Sequence, residues 1–413
     1  DTEPSAAEAC WLWRLERVTD WVSVCSSRPG SENLDTASPC FWGGSQKVQK
    51  MLRLLVSGTA LSALMTTAAW AGGIDWSGQP SGLLFKEGRY AELTFRMASP
   101  SVSGTDIAGQ PTGDVAETFF LPSLGYKADL SPALSYAVMI DRPFGASIDY
   151  GASSPVFGGT SVDTTFTALT GLLRYKFNEG LSVFGGLRAQ TVSADITLNG
   201  AAYGPLAGYA VTTDNDTGIG YVGGVAYEIP RIALRAALTY NSEIRHDVTT
   251  QENIAPGETR TRITTPQSIN LDLQTGISQD TLVFGSVRWV DWSSFDVAPP
   301  ALLAASGSSL VSYENDTFTY TLGVGRQFSK VWSGAVQVSY DTEDQTLASP
   351  LGPTNGFVSL GAGVTYQMDR MQITGGIEYA WLGDAEVDAG GASGATFTDN
   401  TAVGISLQIG YSF

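Results

Sequence analysis

The chain has a single histidine, His246, and it is the first place to look for acid–base or nucleophilic chemistry. A triad would need a hydroxyl and a carboxylate sharing one imidazole. Ser242 and Asp247 stand close to His246 in sequence. A lone histidine next to charged residues at the end of a strand nevertheless reads as a solvated side chain, not a base. The three cysteines, Cys10, Cys25 and Cys40, all precede Met51, with no CxxC pair and no histidine nearby, so neither a metal site nor a disulfide framework is expected. No glycine-rich phosphate loop or cluster of metal ligands occurs. The expectation is therefore no enzyme, no metal and no cofactor. The remaining charges of interest are Glu92, Arg96, Asp141, Arg174, Arg188, Arg235, Asp272, Arg288 and Glu378. Each falls on the polar face of an alternating segment. Such a set can select ions in an open pore, or pair internally and fill a narrow interior; pairing is the reading preferred for most of them.

The segments that carry these charges share one pattern, clearest at residues 402–413, AVGISLQIGYSF. Val403, Ile405, Leu407, Ile409, Tyr411 and Phe413 alternate strictly with small or polar residues. That is a strand with one apolar face. The composition is 43% hydrophobic and 15% charged, with 47 glycines, and apolar residues stand mostly two apart. A transmembrane β-barrel with lipid outside and a polar lumen fits this pattern. No apolar run is long enough for a membrane-spanning helix. Strands are expected near 89–98, 118–128, 133–142, 164–177, 181–197, 217–228, 232–246, 261–277, 281–290, 316–328, 332–341, 356–368, 371–382 and 401–413, about fourteen and even in number.

Connections alternate in length. Turns such as 129–132, 178–180, 229–231, 278–280, 329–331 and 369–370 are short; loops near 99–117, 143–163, 198–216, 247–260, 291–315, 342–355 and 383–400 are long. Short periplasmic turns and long extracellular loops are the barrel pattern. A soluble β-sandwich has no reason to alternate loop lengths so regularly. Closure requires residues 402–413 to pair with residues 89–98. Tyr126, Tyr175, Phe177, Tyr227, Phe328, Trp332, Tyr366 and Phe413 cluster at the short turns, and Tyr240, Trp289, Tyr340 and Trp381 towards the loops, as interfacial girdles do. The net charge of −18 argues against nucleic acid as a partner.

Residues 51–71 read as a signal peptide cleaved after Ala71, with Arg53 in its basic part and Ala69-Trp70-Ala71 at its end. Residues 1–50 then read as upstream translation or a disordered extension. Residues 72–88, with Trp76, Leu83, Leu84 and Phe85, form an irregular segment suited to tuck into the barrel as a plug, and 89–413 form the barrel. The long loops are unusually apolar. Phe144, Phe157, Tyr203, Leu206, Tyr209, Leu302 and Leu303 are the candidates for contacting a hydrophobic ligand, with a short helix after Pro299-Pro300.

The stretches SGQPSGLLFKEG, RPFG at 142–145, YNSEIRHD at 240–247, TPQSINLDLQTGIS at 265–278 and RWVDWSSF at 288–295 resemble the outer-membrane long-chain fatty acid transporter family (FadL type). The resemblance covers residues 72–413. It implies a fourteen-strand outer-membrane barrel with an N-terminal hatch. Hydrophobic small molecules, fatty acids by default, would be captured between loops and released laterally through a kink in the third strand. Pro143 and Gly145 are placed to bend that strand here. The hatch is shorter than that family's. A general diffusion porin is the alternative. Membrane lipid is an expected partner, as is the barrel assembly machinery, which would read the C-terminal strand ending at Phe413.

Overall fold

The structure, a computed structural model, describes residues 74–343 and 346–413. The readings made for residues 1–71, and the first two residues of the hatch, lie outside the described residues.

Fourteen antiparallel strands form a closed barrel: β1 (Tyr90–Ser101), β2 (Phe119–Asp129), β3 (Leu134–Asp141), β4 (Ser161–Lys176), β5 (Leu181–Leu198), β6 (Asp216–Ile229), β7 (Leu234–Asn241), β8 (Ser268–Ser278), β9 (Thr281–Val290), β10 (Thr317–Gln327), β11 (Trp332–Asp341), β12 (Phe357–Met368), β13 (Met371–Leu382) and β14 (Thr401–Ser412). Each pairs with its sequence neighbour. β14 closes on β1, from Tyr90↔Ser412 to Ser101↔Thr401, and the Phe413 amide extends the ladder to the Arg89 carbonyl at 3.0 Å. This is the closure expected from the alternation of the last strand. Leu93, Phe95, Leu173, Leu187, Leu322, Leu360, Ile377 and Leu407 are exposed on the outside, while Thr94, Arg174, Arg188, Thr321 and Glu378 are buried inside. Period-2 patterning thus decides which face meets lipid.

The third strand is broken. β3 ends at Asp141, and the chain resumes strand geometry only at Gly145–Asp149, where it pairs with β4 but not with β2. Pro143 has no N–H to give to a ladder. Its carbonyl instead accepts hydrogen bonds from the amides of Trp76, at 2.8 Å, and Ser77, at 3.2 Å. The Gly145 amide donates to the Ile74 carbonyl at 2.9 Å, and Asp75 bridges Phe144. The N-terminal segment therefore fills the break. Gly145 is required by this approach, because a Cβ there would stand 2.2 Å from the Trp76 ring. On its other face the Trp76 ring stacks on Phe119 at a centroid distance of 4.5 Å.

β4 and β5, at 16 and 18 residues, are longer than the roughly 9–11 residues a tilted strand needs to cross hydrocarbon. Their surplus projects beyond the wall. There it is extended by Tyr209–Thr213 and by a hairpin of Ile244–Glu252 and Glu258–Thr265. Residues 244–246 and 261–265, expected within the seventh and eighth barrel strands, belong to this hairpin. The reason is local: Ser242–Glu243 and Pro266–Gln267 interrupt the wall. The long loops are ordered rather than irregular. Segments Ser103–Asp106, Pro111–Asp114, Ala385–Asp388 and Ser393–Phe397 form a four-stranded sheet. The helix expected after the prolines is α1, Pro300–Ser306.

Candidate functional site

Inside the wall, the N-terminal segment is held by the lumen charges. The Arg288 guanidinium meets the Asp75 carboxylate at 2.6 Å and donates to Asn270 Oδ1 at 2.6 Å, Ser268 Oγ at 3.0 Å and Gln79 Oε1 at 3.3 Å. Ser77 Oγ donates to Asp141 at 2.9 Å, and Asn270 donates to the Gly78 carbonyl at 2.8 Å. Lower down, a turn of 3-10 helix, Gly82–Phe85, buries Leu83, Leu84 and Phe85 against Leu172, Phe184 and Ala237. The guanidinium groups of Arg174 and Arg235 lie 4.5 and 4.7 Å from the Phe85 ring centre. The four hatch residues read from sequence, Trp76, Leu83, Leu84 and Phe85, are all buried here.

Seven of the nine lumen charges line one internal cavity of about 140 Å³: Glu92, Arg96, Asp141, Arg188, Arg235, Asp272 and Arg288. Residues 77–83 of the hatch form part of its wall. Arg174 lies nearer the short turns, paired with Glu228 and donating to the Leu84 carbonyl at 3.4 Å. Glu378, on β13, lines a smaller pocket together with Arg96, and Ser359 donates to it. Buried charges need partners, and these find them in the wall and in the plug.

A second, apolar cleft sits at the loop end. Ile74, Phe166, Ile196, Val211, Ile263, Phe295, Val297, Leu310, Tyr313 and Leu351 line it, with threonine hydroxyls and Ser349 as its polar lining groups. Its volume is about 60 Å³, far below the roughly 300–1,000 Å³ of a typical ligand site. Occupancy by a long apolar molecule therefore requires the lining to move. The seven loop residues singled out from sequence surround this cleft without lining it. Phe144 packs edge-on against Phe166 and Trp292 at 5.9 Å. Phe157, Tyr209 and Leu302 are buried in the loop core, Tyr203 and Leu206 pack against that core, and Leu303 is exposed. Part of the lining, Thr164, Phe166, Ala194, Ile196, Thr261 and Ile263, comes from the projecting ends of strands, whose alternation was read only as barrel wall. Glu252 was also missed. Buried, it accepts the Leu302 amide at 2.8 Å, the Ala301 amide at 3.0 Å and the Tyr209 hydroxyl at 3.0 Å, so it fastens α1 over the loop end.

Ile74, Asp75 and Trp76 join these features. Ile74 lines the cleft, Asp75 reaches the lumen arginine, and Trp76 fills the break in the third strand.

His246 is not solvated, as its sequence context suggested, but 0% exposed. It belongs to the projecting hairpin, which turns it inward against Phe166. Its Nδ1 lies 3.5 Å from Asp216 and its Nε2 3.4 Å from Gln190 Oε1. Burial pulls its pKa below the usual imidazole value, against the opposing pull of Asp216. Ser242 is bound to the Tyr221 amide and Asp247 to Arg262, so neither serves His246 as a triad partner.

The family described as "Outer membrane protein transport protein (OMPP1/FadL/TodX)" matches residues 63–413. A long-chain fatty acid transport protein of Escherichia coli is 22% identical over 340 residues, which is 69% of this chain and 72% of that protein. The fold is also similar to a Pseudomonas aeruginosa FadL homologue, with a TM-score of 0.65 and 17% identity, covering 87% of this chain and 98% of that one. A Pseudomonas putida toluene transporter, TodX, superposes with a TM-score of 0.61 and 14% identity, covering 86% and 98%.

Two predictions come from this geometry. Arg288→Met leaves the Asp75 carboxylate buried without its cation, a loss of about 3–5 kcal/mol for the seated segment. Residues 74–88 should become protease-sensitive and single-channel conductance should rise; unchanged values would reject the pair as the anchor. For His246 the folded-state pKa is depressed, so the unfolded hairpin binds more protons. Its contribution to stability is complete above the ordinary imidazole pKa of about 6.5 and is lost as pH falls through the lowered folded value. The amide protection factors of residues 244–265, with rates corrected for intrinsic base-catalysed exchange, should fall between pH 7 and pH 5 in the wild type, and less so in His246→Gln.

Proposed function

The chain belongs to the OMPP1/FadL/TodX family of outer-membrane transport proteins, and from this we propose that it takes up long-chain fatty acids or other hydrophobic small molecules. It is a transport channel of the bacterial outer membrane rather than an enzyme. Ligand enters between the long loops and settles in the apolar cleft when its lining opens. Apolar burial supplies the affinity. The observation that carries this reading is the continuity of Ile74, Asp75 and Trp76 from cleft to lumen to wall break. A ligand that displaces Ile74 pulls on the strand-like contacts that seal the third strand. Release then runs sideways, through the opening at Arg142–Phe144, into the membrane. The lumen supports this path over a porin path, because the plug and its charge network occupy the barrel axis.

The test is uptake by proteoliposomes of radiolabelled oleate and, separately, of naphthalene as an uncharged hydrocarbon. Wild-type barrel should accumulate at least one of them, and Val297→Asp, which puts a charge in the cleft, should lower binding by about ten-fold. Paired cysteines at positions 75 and 144, which oppose one another across the bridge, should stop uptake when oxidised and return it, when reduced, to the level of an Asp75→Cys single variant, which controls for loss of the Arg288 pair. Uptake that ignores the disulfide would overturn lateral release. A large steady conductance with no apolar binding would favour the porin.

The assembly machinery of the outer membrane is the second partner in this reading, with Phe413 as the mark it recognises. Phe413 is exposed beyond β14 and its ring lies 5.0 Å from that of Tyr411. Phe413→Ser should reduce the yield of folded barrel while the fraction that folds still binds ligand. A normal yield would remove Phe413 from that role.

A further inference from the structure

We propose that the bilayer-facing surface of β10–β13 holds one anionic phospholipid, its phosphate gripped by Arg326 and one acyl chain lying in the groove beside it. The outward positions of these four strands are apolar, aromatic or small, apart from Arg326 near the end of β10. Arg326 is exposed, and no carboxylate of the described residues forms an ion pair with it. An arginine facing lipid is costly at mid-bilayer and nearly without cost near the interface. Arg326 sits at the interface. The next outward row towards the turn holds Trp332 and Tyr366, whose ring centres are 4.7 Å apart. Lys330, in the turn between β10 and β11, adds a second cation at that level.

Beside Arg326 lies a groove of about 590 Å³. The register places Arg326 opposite Gly334, Gly334 opposite Val364, and Val364 opposite Gly375. Phe328 walls one side; a Cβ on Gly334 would come within 2.9 Å of its ring. At Gly375 a Cβ would meet nothing within 4 Å, so the floor there is open. A guanidinium matches a phosphate in a forked geometry that an uncharged headgroup cannot supply, and the apolar trough beside it has the form of a chain-binding surface. The groove runs across β10–β13, whereas the wall break lies in the third strand, so the site is separate from the proposed exit.

Native mass spectrometry of the folded barrel, titrated with dioleoylphosphatidylglycerol or with dioleoylglycerol, tests the proposal. One phosphatidylglycerol adduct should survive collisional activation, and dioleoylglycerol, which has the same chains without the phosphate, should not be retained. Arg326→Gln and Gly375→Leu should each lower retention at least roughly five-fold, while both variants keep the heat-resistant gel mobility of a folded barrel. Equal retention by wild type and variants, which is the behaviour of annular lipid alone, would overturn the site. So would a fall in only one variant, or retention of dioleoylglycerol equal to that of phosphatidylglycerol.

Discussion

Hydrocarbon offers backbone amides nothing to bond to, so every N–H and C=O within the bilayer must find its partner in the protein. The rest of the structure follows from that constraint. It demands the closure of β14 on β1, which removes both sheet edges. It also explains the behaviour of the third strand. A strand that stops at Asp141 leaves backbone groups open in the wall, and the chain meets them with its own N-terminal segment. The seal is made by a few hydrogen bonds and one stacked tryptophan rather than by a full ladder. The weakest part of the wall is thus also the part tied to the apolar cleft at the loop end.

The second constraint is electrostatic. Seven charged wall residues share a small cavity with a plug that contributes polar groups of its own. Arg288 is at the centre of this arrangement, since one guanidinium ties the plug carboxylate of Asp75 to the β8 side chains Ser268 and Asn270. Polar contacts of this kind are strong only while the set is complete, because a half-satisfied buried network is costly. The plug is therefore held by geometry that can be undone at one point.

How much of this was legible in the sequence depends on the range of the interactions. Strand number, closure and the sidedness of the turns follow from period-2 patterning and loop length, and β1 and β14 pair as expected. Nearest-neighbour alternation carries that information without reference to the rest of the chain. The third-strand break was visible as Pro143 and Gly145. The residue that fills it, Trp76, was legible only as an apolar member of the hatch, because its partners Phe119 and Gly145 are remote in sequence. The apolar cleft draws its lining from other residues than the loop candidates for the same reason. Phe157 and Leu302 are apolar loop residues, and they pack the cap. Phe166 and Ile263 look like ordinary wall positions, and only the length of β4 and the hairpin lifts them clear of the bilayer. His246 went the same way, since neither its burial nor its contact with Asp216 is encoded in its neighbours along the chain.

The contact between Asp75 and Arg288 spans 213 positions, and this sets an order of events during assembly. The plug cannot be seated until the ninth strand exists, nor can the third strand be sealed on its N-terminal side before the plug arrives. Contacts so distant in sequence slow folding, because loop-closure entropy must be met before they form. The earliest part of the barrel to leave the export machinery is therefore among the last to reach its final place. Until then the unsealed third strand keeps unpaired backbone within reach of any neighbouring β-edge.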